Sequence, residues 1–594
     1  MTEKRLPLGG EFLITETAPH NIFIPEDFTK LHKMIHAATT DFVQKEVFPN
    51  TEQIETKDEA ISRELLLKTG ELGLNGTDIP EIYGGEEMDK ISTCLVTEAM
   101  GAAGSFSITH SIHTGIGSLP IVYFGTEDQK KKYLPKLCSG DWVGAYCLTE
   151  PGAGSDALNS LTTAVLSEDG KNYILNGEKI YITNGSWADC YTVYAKVDGE
   201  KFTGFIVEKA FAGIERGAEE KKMGLTGSST CTILLKDCIV PVENVLYEIG
   251  KGHKIAFNIL NMGRYKIGAN AVGGSKTAIS DAAKHAATRI QFGQPIGSFG
   301  MVRNKLADMV IRTYMTESMI YRLAFMIDSR LENQGEKKER PARDTANVIE
   351  EYAVECSMIK VYGSECLDFC VDEWVQILGG AGLIADYPAE RAYRGSRINR
   401  IVEGTNEINR LLVPQTLFKR SLQGRLNLKA AVEAVTKELN SWETSRNDMA
   451  DEPLALEEYM VRMCKKMILL AFGVTVQKLG KSFLNEQSVL GILADMSIEV
   501  FAMESGLLRA IKIIEKNGIK KAEYHIAAVK TYVGETLHKM EFWANQILVF
   551  SDPEETLNKY LDDIKKLSSC HPIPTIVLKE KIAERVIKLK KYIF

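Results

Sequence analysis

Between residues 161 and 245 the chain carries a series of short β-type segments, and on both sides of this series apolar residues recur at helical spacing. The segments are TTAVL, YILNGEKIYIT, CYTVYAKV, FTGFIVE and CTILLKDCIV. The turn pairs that punctuate them, which are typical of antiparallel hairpins, are Asp169-Gly170, Asn176-Gly177 and Asn184-Gly185. A β-region enclosed by helical regions argues against an alternating α/β fold. The sequence therefore predicts an α+β multidomain protein.

The flanking regions have helical periodicity over most of their length. Residues 27–140 include Phe28, Leu31 and Met34 on one face, and the helical pattern returns after the β-segments and continues to the C-terminus. At about 100–200 residues per domain, 594 residues suggest three to five domains. The stretch 440–456 is polar and acidic and contains a proline, which predicts a linker or mobile loop.

Composition argues against several classes of function. A formal net charge of -8 argues against a nucleic-acid-binding protein, whose surface would be basic. The 11 cysteines include no CxxC pair, so we expect reduced thiols, with no disulfide framework and no metal site. The N-terminal residues show no apolar signal-peptide core, and the longest apolar run, MILLAFGVTV, is shorter than the ~20 residues that span a bilayer. We therefore expect a cytoplasmic protein that is not integral to a membrane.

Glu403 is the strongest catalytic candidate in the sequence. It stands between an apolar pair, Ile401 and Val402, and a turn that begins at Gly404. Apolar neighbours disfavour the charged form of a carboxylate, so its pKa rises toward the range that a general base needs. From the local sequence alone, the alternative is a surface glutamate at a turn.

A second motif, GAGSDA at 152–157, matches the G-x-G-x-x-A form of the dinucleotide fingerprint. That fingerprint requires a strand before it and a helix after it, whereas strand-like sequence follows it here. Glu150 and Asp156 would also repel phosphate. We therefore expect no nicotinamide Rossmann site.

Five motifs together resemble one enzyme family. They are AYCLTEPGAGSDA at 145–157, KIYITNG at 179–185, TRIQFGQPI at 288–296, QILGGAG at 376–382 and VEGTNEINR at 402–410. Over roughly residues 27–420 the chain resembles the acyl-CoA dehydrogenase family, and its long helical tail makes it similar to the very-long-chain branch. The domains that this resemblance implies are an N-terminal helical domain (1–143), a middle antiparallel β-domain (144–253), a C-terminal four-helix bundle (254–424) and an extra C-terminal helical domain (425–594).

The resemblance implies an FAD-dependent enzyme of fatty acid β-oxidation that converts long-chain fatty acyl-CoA to trans-2-enoyl-CoA. Glu403 would be the catalytic base, and the electrons would pass to an electron-transfer flavoprotein. Some families of this fold place the base beside the helix arginine instead, but this chain has Gly263 there. Arg264 would orient the base and the substrate, the alternative being a solvated helix arginine, and Asn261 would contact the substrate. Gly404 would leave room for the thioester carbonyl.

The resemblance also implies the residues that hold FAD. Along the flavin ring and at its entrance these are Leu148, Thr149, Ser155, Tyr181, Ile182 and Thr183. Ser155 would also reach the CoA arm of the substrate. Across a subunit interface, the adenosine diphosphate half would be held by Arg289, Phe292, Gln376, Ile377, Leu378, Gly379, Gly380, Thr405, Asn406 and Glu407. Alternation along KIYIT would place Tyr181 and Thr183 on one strand face, although Tyr181 could also be an ordinary cross-strand aromatic.

The tail beyond residue 425 is implied to be a helical domain that takes the place of a neighbouring dimer, so a homodimer is expected. Its apolar run and its basic end, KLKKYIF, could contact a membrane peripherally, but helices buried in a bundle are the favoured interpretation. Two alternatives to the dehydrogenase stay open. One is an acyl-CoA oxidase, in which oxygen reaches the reduced flavin, and the other is a non-catalytic scaffold protein that retains the fold.

Overall fold

The computed structural model describes residues 6–335, 341–442, 452–551 and 556–594. Its N-terminal region is helical, with α1 (Lys30–Phe42), α2 (Thr51–Glu55), α3 (Glu59–Glu71), α4 (Lys90–Met100), α5 (Gly104–Ile112), α6 (Leu119–Phe124) and α7 (Glu127–Ser139). Helices α1, α3, α4 and α7 each follow a residue whose side chain accepts a hydrogen bond from a backbone N–H of the first turn. These capping residues are Thr29, Asp58, Asp89 and Thr126. Such caps satisfy backbone N–H groups that would otherwise lack a partner.

The middle region is a mixed β-sheet. Its strands are β1 (Gly144–Cys147), β2 (Thr163–Leu166), β3 (Asn172–Thr183), β4 (Cys190–Val197), β5 (Lys201–Glu208), β6 (Ile214–Glu219), β7 (Thr230–Pro241) and β8 (Val245–Leu246). The strand order is β6-β7-β3-β2-β4-β5-β8, and β1 also pairs with β4. Neighbours are antiparallel, except that β1 and β2 both pair with β4 in parallel. Both β1 and β2 therefore lie beside β4, and the β1–β2 loop (148–162) connects them.

One of the expected turns is not a turn. β3 continues through Asn176 and Gly177, and its register against β7 shifts there. A Cβ on Gly177 would lie 2.8 Å from Thr162 Cα, so this glycine allows the close approach of the neighbouring chain. The pairs Asp169-Gly170 and Asn184-Gly185 do lie in turns.

After the sheet, long helices pack into a bundle. The elements are α8 (Gly252–Thr288), β9 (Ile290–Gln291), β10 (Gln294–Pro295), α9 (Gly300–Glu332), α10 (Ala342–Glu351), α11 (Ala353–Leu378), α12 (Pro388–Ser396) and α13 (Asn406–Leu422). The long helices α8, α9, α11 and α13 form the expected bundle. Gly268 of α8 packs on Gly363 of α11, where a Cβ on Gly363 would lie 3.1 Å from Gly268 Cα. About one turn before this contact on each helix are Arg264 and Lys360.

The remaining helices form the C-terminal extension. They are α14 (Leu428–Asn440), α15 (Ala455–Leu479), α16 (Gln487–Asn517), α17 (Glu523–Ser551), α18 (Leu557–Ser568) and α19 (Thr575–Leu589). The extension packs directly on the bundle, because α16 contacts α9 and α13 while α19 contacts α8 and α9. The linker expected at 440–456 falls largely on residues 443–451, which lie outside the described residues.

The apolar run expected to be buried lies on α15. Met467, Ile468 and Leu470 are buried against the rest of the protein. Among the described residues, the segment Ala455–Asn485 is long and apolar enough to cross a membrane by length and composition, and half of its most apolar window is buried inside the protein. A buried core helix passes the same test, so the favoured interpretation of this run agrees with its packing.

Candidate functional site

The 403–405 turn joins a short 3-10 helix (Arg397–Arg400) to α13. Glu403 has a φ of 57° and Gly404 has a φ of 79°, so two successive residues adopt the left-handed conformation. Glycine adopts it freely, whereas a glutamate does so at a cost of about 1–2 kcal/mol. The Thr405 hydroxyl then caps α13 by accepting a hydrogen bond from Ile408 N at 3.3 Å. Groups around the turn must therefore hold Glu403 in place.

Side chains from three helices hold the carbonyl groups of this turn. Arg264 Nε of α8 donates to Glu403 O at 3.1 Å, and Lys360 Nζ of α11 donates to Gly404 O at 2.9 Å. Asn409 Nδ2 of α13 donates to Gly404 O at 2.8 Å and to the next carbonyl at 3.0 Å. All three side chains are buried. Sequence reasoning missed Lys360, which belongs to none of the five motifs, and Asn409, which lies within VEGTNEINR but was given no role there.

The Glu403 carboxylate lies against Gly263 of α8. A Cβ at position 263 would lie 2.7 Å from Glu403 Oε2 and closer still to Cδ. Oε2 is buried and has no hydrogen-bond partner in the described part of the chain. Burial raises the pKa of Glu403 to about 7, although Arg264 and Lys360 favour its charged form. A carboxylate that is free to accept a proton and titrates near neutrality suits a general base.

Arg264 and Asn261 lie on one face of α8. Arg264 is 5 % exposed, and its Nη1 donates to Asn261 Oδ1 at 2.8 Å. Burial lowers the pKa of Arg264, and the charge of Glu403 opposes this shift. The alternative of a solvated helix arginine does not fit this burial. Because the guanidinium holds the backbone of Glu403, Arg264 orients the turn and leaves the carboxylate oxygen Oε2 unpaired.

The β1–β2 loop carries Leu148, Thr149 and Ser155. A backbone N–H of β3 donates to Thr149 O at 3.0 Å, and Lys179 Nζ of β3 lies 2.6 Å from Glu150 Oε1, so the loop is fixed to the sheet. Leu148 is buried, Thr149 is half-buried and Ser155 is exposed. The sequence argument expected Glu150 to repel phosphate, but its charge is neutralised by the buried lysine.

Tyr181 and Thr183 stand at the end of β3. Tyr181 is 64 % exposed and has a φ of 59°, where the register of β3 against β7 shifts between Lys179 and Ile182. This irregularity interrupts the simple alternation from which a shared face was expected. Successive residues at this end of β3 still differ in burial, because Thr183 is half-buried whereas Ile182 packs in the sheet core.

Arg289 and Phe292 lie at the hairpin that joins α8 to α9. Phe292 is 93 % exposed, and Arg289 is exposed immediately before β9. Ile290 and Met301 nearby in the chain are also exposed, so this end of the bundle presents large apolar side chains to the outside. Such exposure is compatible with the expected position at a subunit interface.

The segment 376–380 ends α11 and reaches the surface. Gln376, Gly379 and Gly380 are exposed, while Leu378 is half-buried. A Cβ on Gly379 or Gly380 would meet no atom of the described chain within 4 Å, so a ligand can approach this backbone closely.

Besides Leu148, three expected cofactor residues turn their side chains into the protein. Ile182 and Ile377 are 2 % and 6 % exposed and belong to hydrophobic cores. Asn406 uses both polar atoms of its side chain on α11, where Oδ1 accepts from Lys360 Nζ at 2.8 Å and Nδ2 donates to Glu365 Oε1 at 3.0 Å. Any contact of these residues with a cofactor would come from their backbone. Glu407 beside Asn406 is exposed, as expected of a ligand contact.

Models of acyl-CoA dehydrogenase domains match most of the chain. The N-terminal domain matches residues 29–141, the middle domain 145–238, one C-terminal domain 250–418 and a second C-terminal domain 463–566. A probable acyl-CoA dehydrogenase of Bacillus subtilis (strain 168) is 47 % identical over 588 residues, which are 98 % of each protein. The chain belongs to the acyl-CoA dehydrogenase family.

This acyl-CoA dehydrogenase also resembles two further proteins. The mitochondrial very long-chain specific acyl-CoA dehydrogenase of Bos taurus is 32 % identical across 92 % of this chain and 84 % of the relative. The crystal structure of an acyl-CoA dehydrogenase complexed with FAD from Bacillus anthracis is 46 % identical, with a TM-score of 0.97 over 99 % of this chain and 100 % of that chain. The expected α+β multidomain fold is therefore confirmed, with the correction that the middle sheet is mixed and not purely antiparallel. The protein is an FAD-dependent oxidoreductase.

The residues present in this acyl-CoA dehydrogenase fit FAD. The exposed ring of Tyr181 can face a flat ring system, and the exposed guanidinium of Arg289 can pair with a diphosphate. The open backbone at Gly379 and Gly380 leaves space for a group that a side chain would displace. These features agree with the cofactor that the family uses.

Gly263→Ala is expected to lower the turnover number of this dehydrogenase about 10²-fold, since a misplacement of about 1 Å in an active site can cost that much. The added methyl group would overlap the Glu403 carboxylate, which ends a flexible side chain and can move aside. A helical Gly→Ala change by itself tends to stabilise by about 0.5–1 kcal/mol. Steady-state kinetics and thermal unfolding should thus show lost activity with retained stability.

The matched control is Gly491→Ala in α16, where the new Cβ would meet no described atom within 4 Å. This variant carries the same change in another helix and should keep the activity of the native enzyme. Equal turnover numbers for the two variants would contradict the contact between Gly263 and the carboxylate.

Proposed function

We propose that this enzyme dehydrogenates fatty acyl-CoA to trans-2-enoyl-CoA in fatty acid β-oxidation, with Glu403 as the catalytic base. The observation that carries the proposal is the buried Oε2 of Glu403, which lies over Gly263 without a hydrogen-bond partner among the described residues. The α proton of a thioester is weakly acidic. Its removal needs a base that is ready near neutral pH and donors that stabilise the developing negative charge.

The backbone of the 403–405 turn would stabilise that charge. The N–H of Glu403 donates to no acceptor in the residues that the structure describes, so it can donate to the thioester carbonyl. Gly404 beside it adopts the left-handed conformation with a φ of 79°, and Arg264 fixes the carbonyl of Glu403 from the other side. FAD, when bound, supplies the acceptor for the hydride that leaves the β carbon. Asn261 supports the reaction through Arg264, which it holds by a hydrogen bond.

The ratio kcat/KM is expected to rise with pH and to level off with an apparent pKa near 7. Only the deprotonated carboxylate accepts the α proton, and burial raises the pKa of Glu403 to about 7. Activity should therefore be lost as the pH falls below neutrality. Assays of acyl-CoA oxidation with an artificial electron acceptor, run across the neutral range, measure this profile. A profile that is flat through neutrality would argue against Glu403 as the base.

We propose a preference for long acyl chains. The proposal is supported by the similarity to the very long-chain specific enzyme of Bos taurus and by the C-terminal extension. Turnover measured across a series of acyl-CoA lengths with an artificial acceptor tests it. A maximum at short chains would overturn the long-chain preference and leave the dehydrogenation itself untouched.

We propose an electron-transfer flavoprotein as the electron acceptor. A dehydrogenase needs a partner that takes two electrons from the reduced enzyme, whereas an acyl-CoA oxidase passes them to oxygen. Anaerobic reduction with substrate, followed by rapid mixing with air, separates the two. Slow reoxidation in air and fast reoxidation with the flavoprotein support the dehydrogenase. Rapid reoxidation by air alone would favour the oxidase.

We propose that the enzyme acts in the cytoplasm as a homodimer whose subunits share the FAD sites. Exposed Arg289 and Phe292 support this, because they could reach the cofactor of a second subunit. Any contact of the extension with a membrane would be peripheral. Light scattering of the holoenzyme measures the mass, and a monomer that keeps FAD would contradict the shared site.

A further inference from the structure

Lys360 is a buried lysine beside the 403–405 turn that the mechanism above does not use. Its side chain is 0 % exposed, and it forms no salt bridge with any carboxylate of the described residues. Its ammonium group instead donates to Gly404 O at 2.9 Å and to Asn406 Oδ1 at 2.8 Å. A buried charge without an ion pair is costly, and burial lowers the pKa of Lys360 to about 7, although the charge of Glu403 opposes this shift.

The two hydrogen bonds of Lys360 hold the turn at Gly404 and at the start of α13. Gly404 O belongs to the residue directly after the base, and Asn406 is the first residue of α13. Asn406 Nδ2 also donates to Ser364 Oγ at 3.1 Å, so the side chain of Asn406 cannot rotate without losing several bonds to α11. Lys360 therefore connects the rigid helix α11 to the left-handed segment that presents the carboxylate.

The charges that face Glu403 come from three elements. Arg264 of α8 and Lys360 of α11 lie close enough to favour its ionised form, and Tyr146 of β1 is the titratable group that faces it from the sheet. Cys356 of α11 lies near Arg264. Arg264 and Lys360 both donate to backbone carbonyls of the turn and not to the carboxylate. They therefore hold the turn, and their charges act on the Glu403 carboxylate without a direct ion pair.

We propose that Lys360 is a positioning residue for the base: it holds the 403–405 turn so that the Glu403 carboxylate stays over Gly263, and in its protonated form its charge favours the carboxylate. This inference rests on the proposed function of Glu403. A purely structural role would predict that the loss of Lys360 lowers stability without changing the ionisation or the mobility of the turn.

The test uses Lys360→Met in the FAD-loaded enzyme. We expect kcat to fall about 10- to 100-fold, the range for a small displacement of a reacting group. We expect KM for acyl-CoA to change less than kcat, and the apparent pKa of kcat/KM to move above that of the native enzyme. Hydrogen exchange measured by mass spectrometry should be faster in peptides that cover the 403–405 turn.

Lys360→Gln is the second variant, because it removes the charge but can still donate to Gly404 O. It should raise the apparent pKa as Lys360→Met does, while the exchange of the turn changes less. Lys465→Met is the control, since Lys465 is buried in the extension, where it donates to Thr15 O at 2.9 Å and pairs with Glu504. It should lower stability without moving the pH profile.

Glu403→Gln, assayed in parallel, separates the two proposals. If Glu403→Gln stays active, the base assignment itself fails. If Glu403→Gln is inactive, but both Lys360 variants keep the native pH profile and the native exchange of the turn, only the positioning role of Lys360 is overturned. A raised apparent pKa with faster exchange in Lys360→Met, and with neither effect in Lys465→Met, supports it.

Discussion

Glu403→Gln is expected to retain FAD and to bind acyl-CoA, while the rate of flavin reduction by substrate falls by about 10²–10⁴-fold or more, the range of general-base catalysis. Glutamine has nearly the shape of glutamate, so it can lie over Gly263 and keep the 403–405 turn intact. It cannot accept the α proton at neutral pH. Stopped-flow absorbance under anaerobic conditions measures the loss, and the flavin spectrum reports cofactor content.

The control for this variant is Glu457→Gln in α15. Glu457 is a buried glutamate whose pKa, like that of Glu403, is raised by desolvation, but it lies in the C-terminal extension. If raised pKa and burial alone made a residue important, both variants would lose activity. We expect only Glu403→Gln to do so. Native rates of flavin reduction in Glu403→Gln would overturn the assignment of the base.

The order of helical and β regions could be predicted from the sequence because periodicity is a local property. The parallel pairing of β1 and β2 with one strand could not, since turn pairs report hairpins only. The strand β3 that runs through Asn176-Gly177 illustrates the same limit. An Asn-Gly pair allows a turn, but at Gly177 the missing Cβ makes room for Thr162 instead.

The raised pKa of Glu403 could be predicted, but the physical reason differs from the one that the sequence suggested. Ile401, one of the two apolar neighbours, is 48 % exposed, so it does not enclose the carboxylate. The carboxylate instead packs on Gly263 of α8. In the sequence, Gly263 was notable only because some families of this fold carry the catalytic carboxylate at that position. In the fold that glycine is the floor on which Glu403 lies.

The contact of Lys360 with the site could not be predicted, and neither could the role of Asn409, although Asn409 lies in the VEGTNEINR motif. Lys360 is 44 residues from Gly404 in the chain, and its contact depends on how α8, α11 and α13 pack. No short motif encodes such a packing angle. The close packing of α8 and α11 at Gly268 and Gly363 could not be predicted either. A glycine inside a helix does not by itself indicate which element lies beside it.

A buried charge network, formed with side chains outside the extension, holds the extension to the bundle. Its members are Glu26, Glu98, Lys276, Glu317, Arg509, His525 and Tyr592. Arg509 of α16 is fully buried and donates to Glu317 of α9 at 2.6 Å and to Glu26 near the N-terminus at 2.6 Å. Its guanidinium also lies 4.5 Å from the centre of the Tyr314 ring. Arg509 thus joins three parts of the chain that are distant in sequence.

Arg509→Met is expected to lower the free energy of unfolding by about 3–5 kcal/mol, because removal of one partner leaves buried carboxylates uncompensated. Glu317 would keep Lys276 as a partner, but Glu26 would lose its guanidinium. Differential scanning calorimetry measures the loss of stability, and limited proteolysis shows whether the extension loosens first. In the control Arg462→Met, the side chain is 48 % exposed and 3.9 Å from Glu16, so the change should stay within about 1 kcal/mol.

The pH dependence of stability gives the sharper test of Arg509. Burial would raise the pKa of Glu26, but Arg509 and His525 overcome this and hold that pKa well below its ordinary value of 4.5. A carboxyl with a lowered pKa contributes stability above its unfolded pKa and loses that contribution as the pH falls toward its folded pKa. The native enzyme should therefore lose stability on acidification below 4.5, and Arg509→Met should lose less over the same range. If both proteins lost stability equally on acidification, Glu26 would not depend on Arg509, and the network would not be what fastens the extension to the bundle.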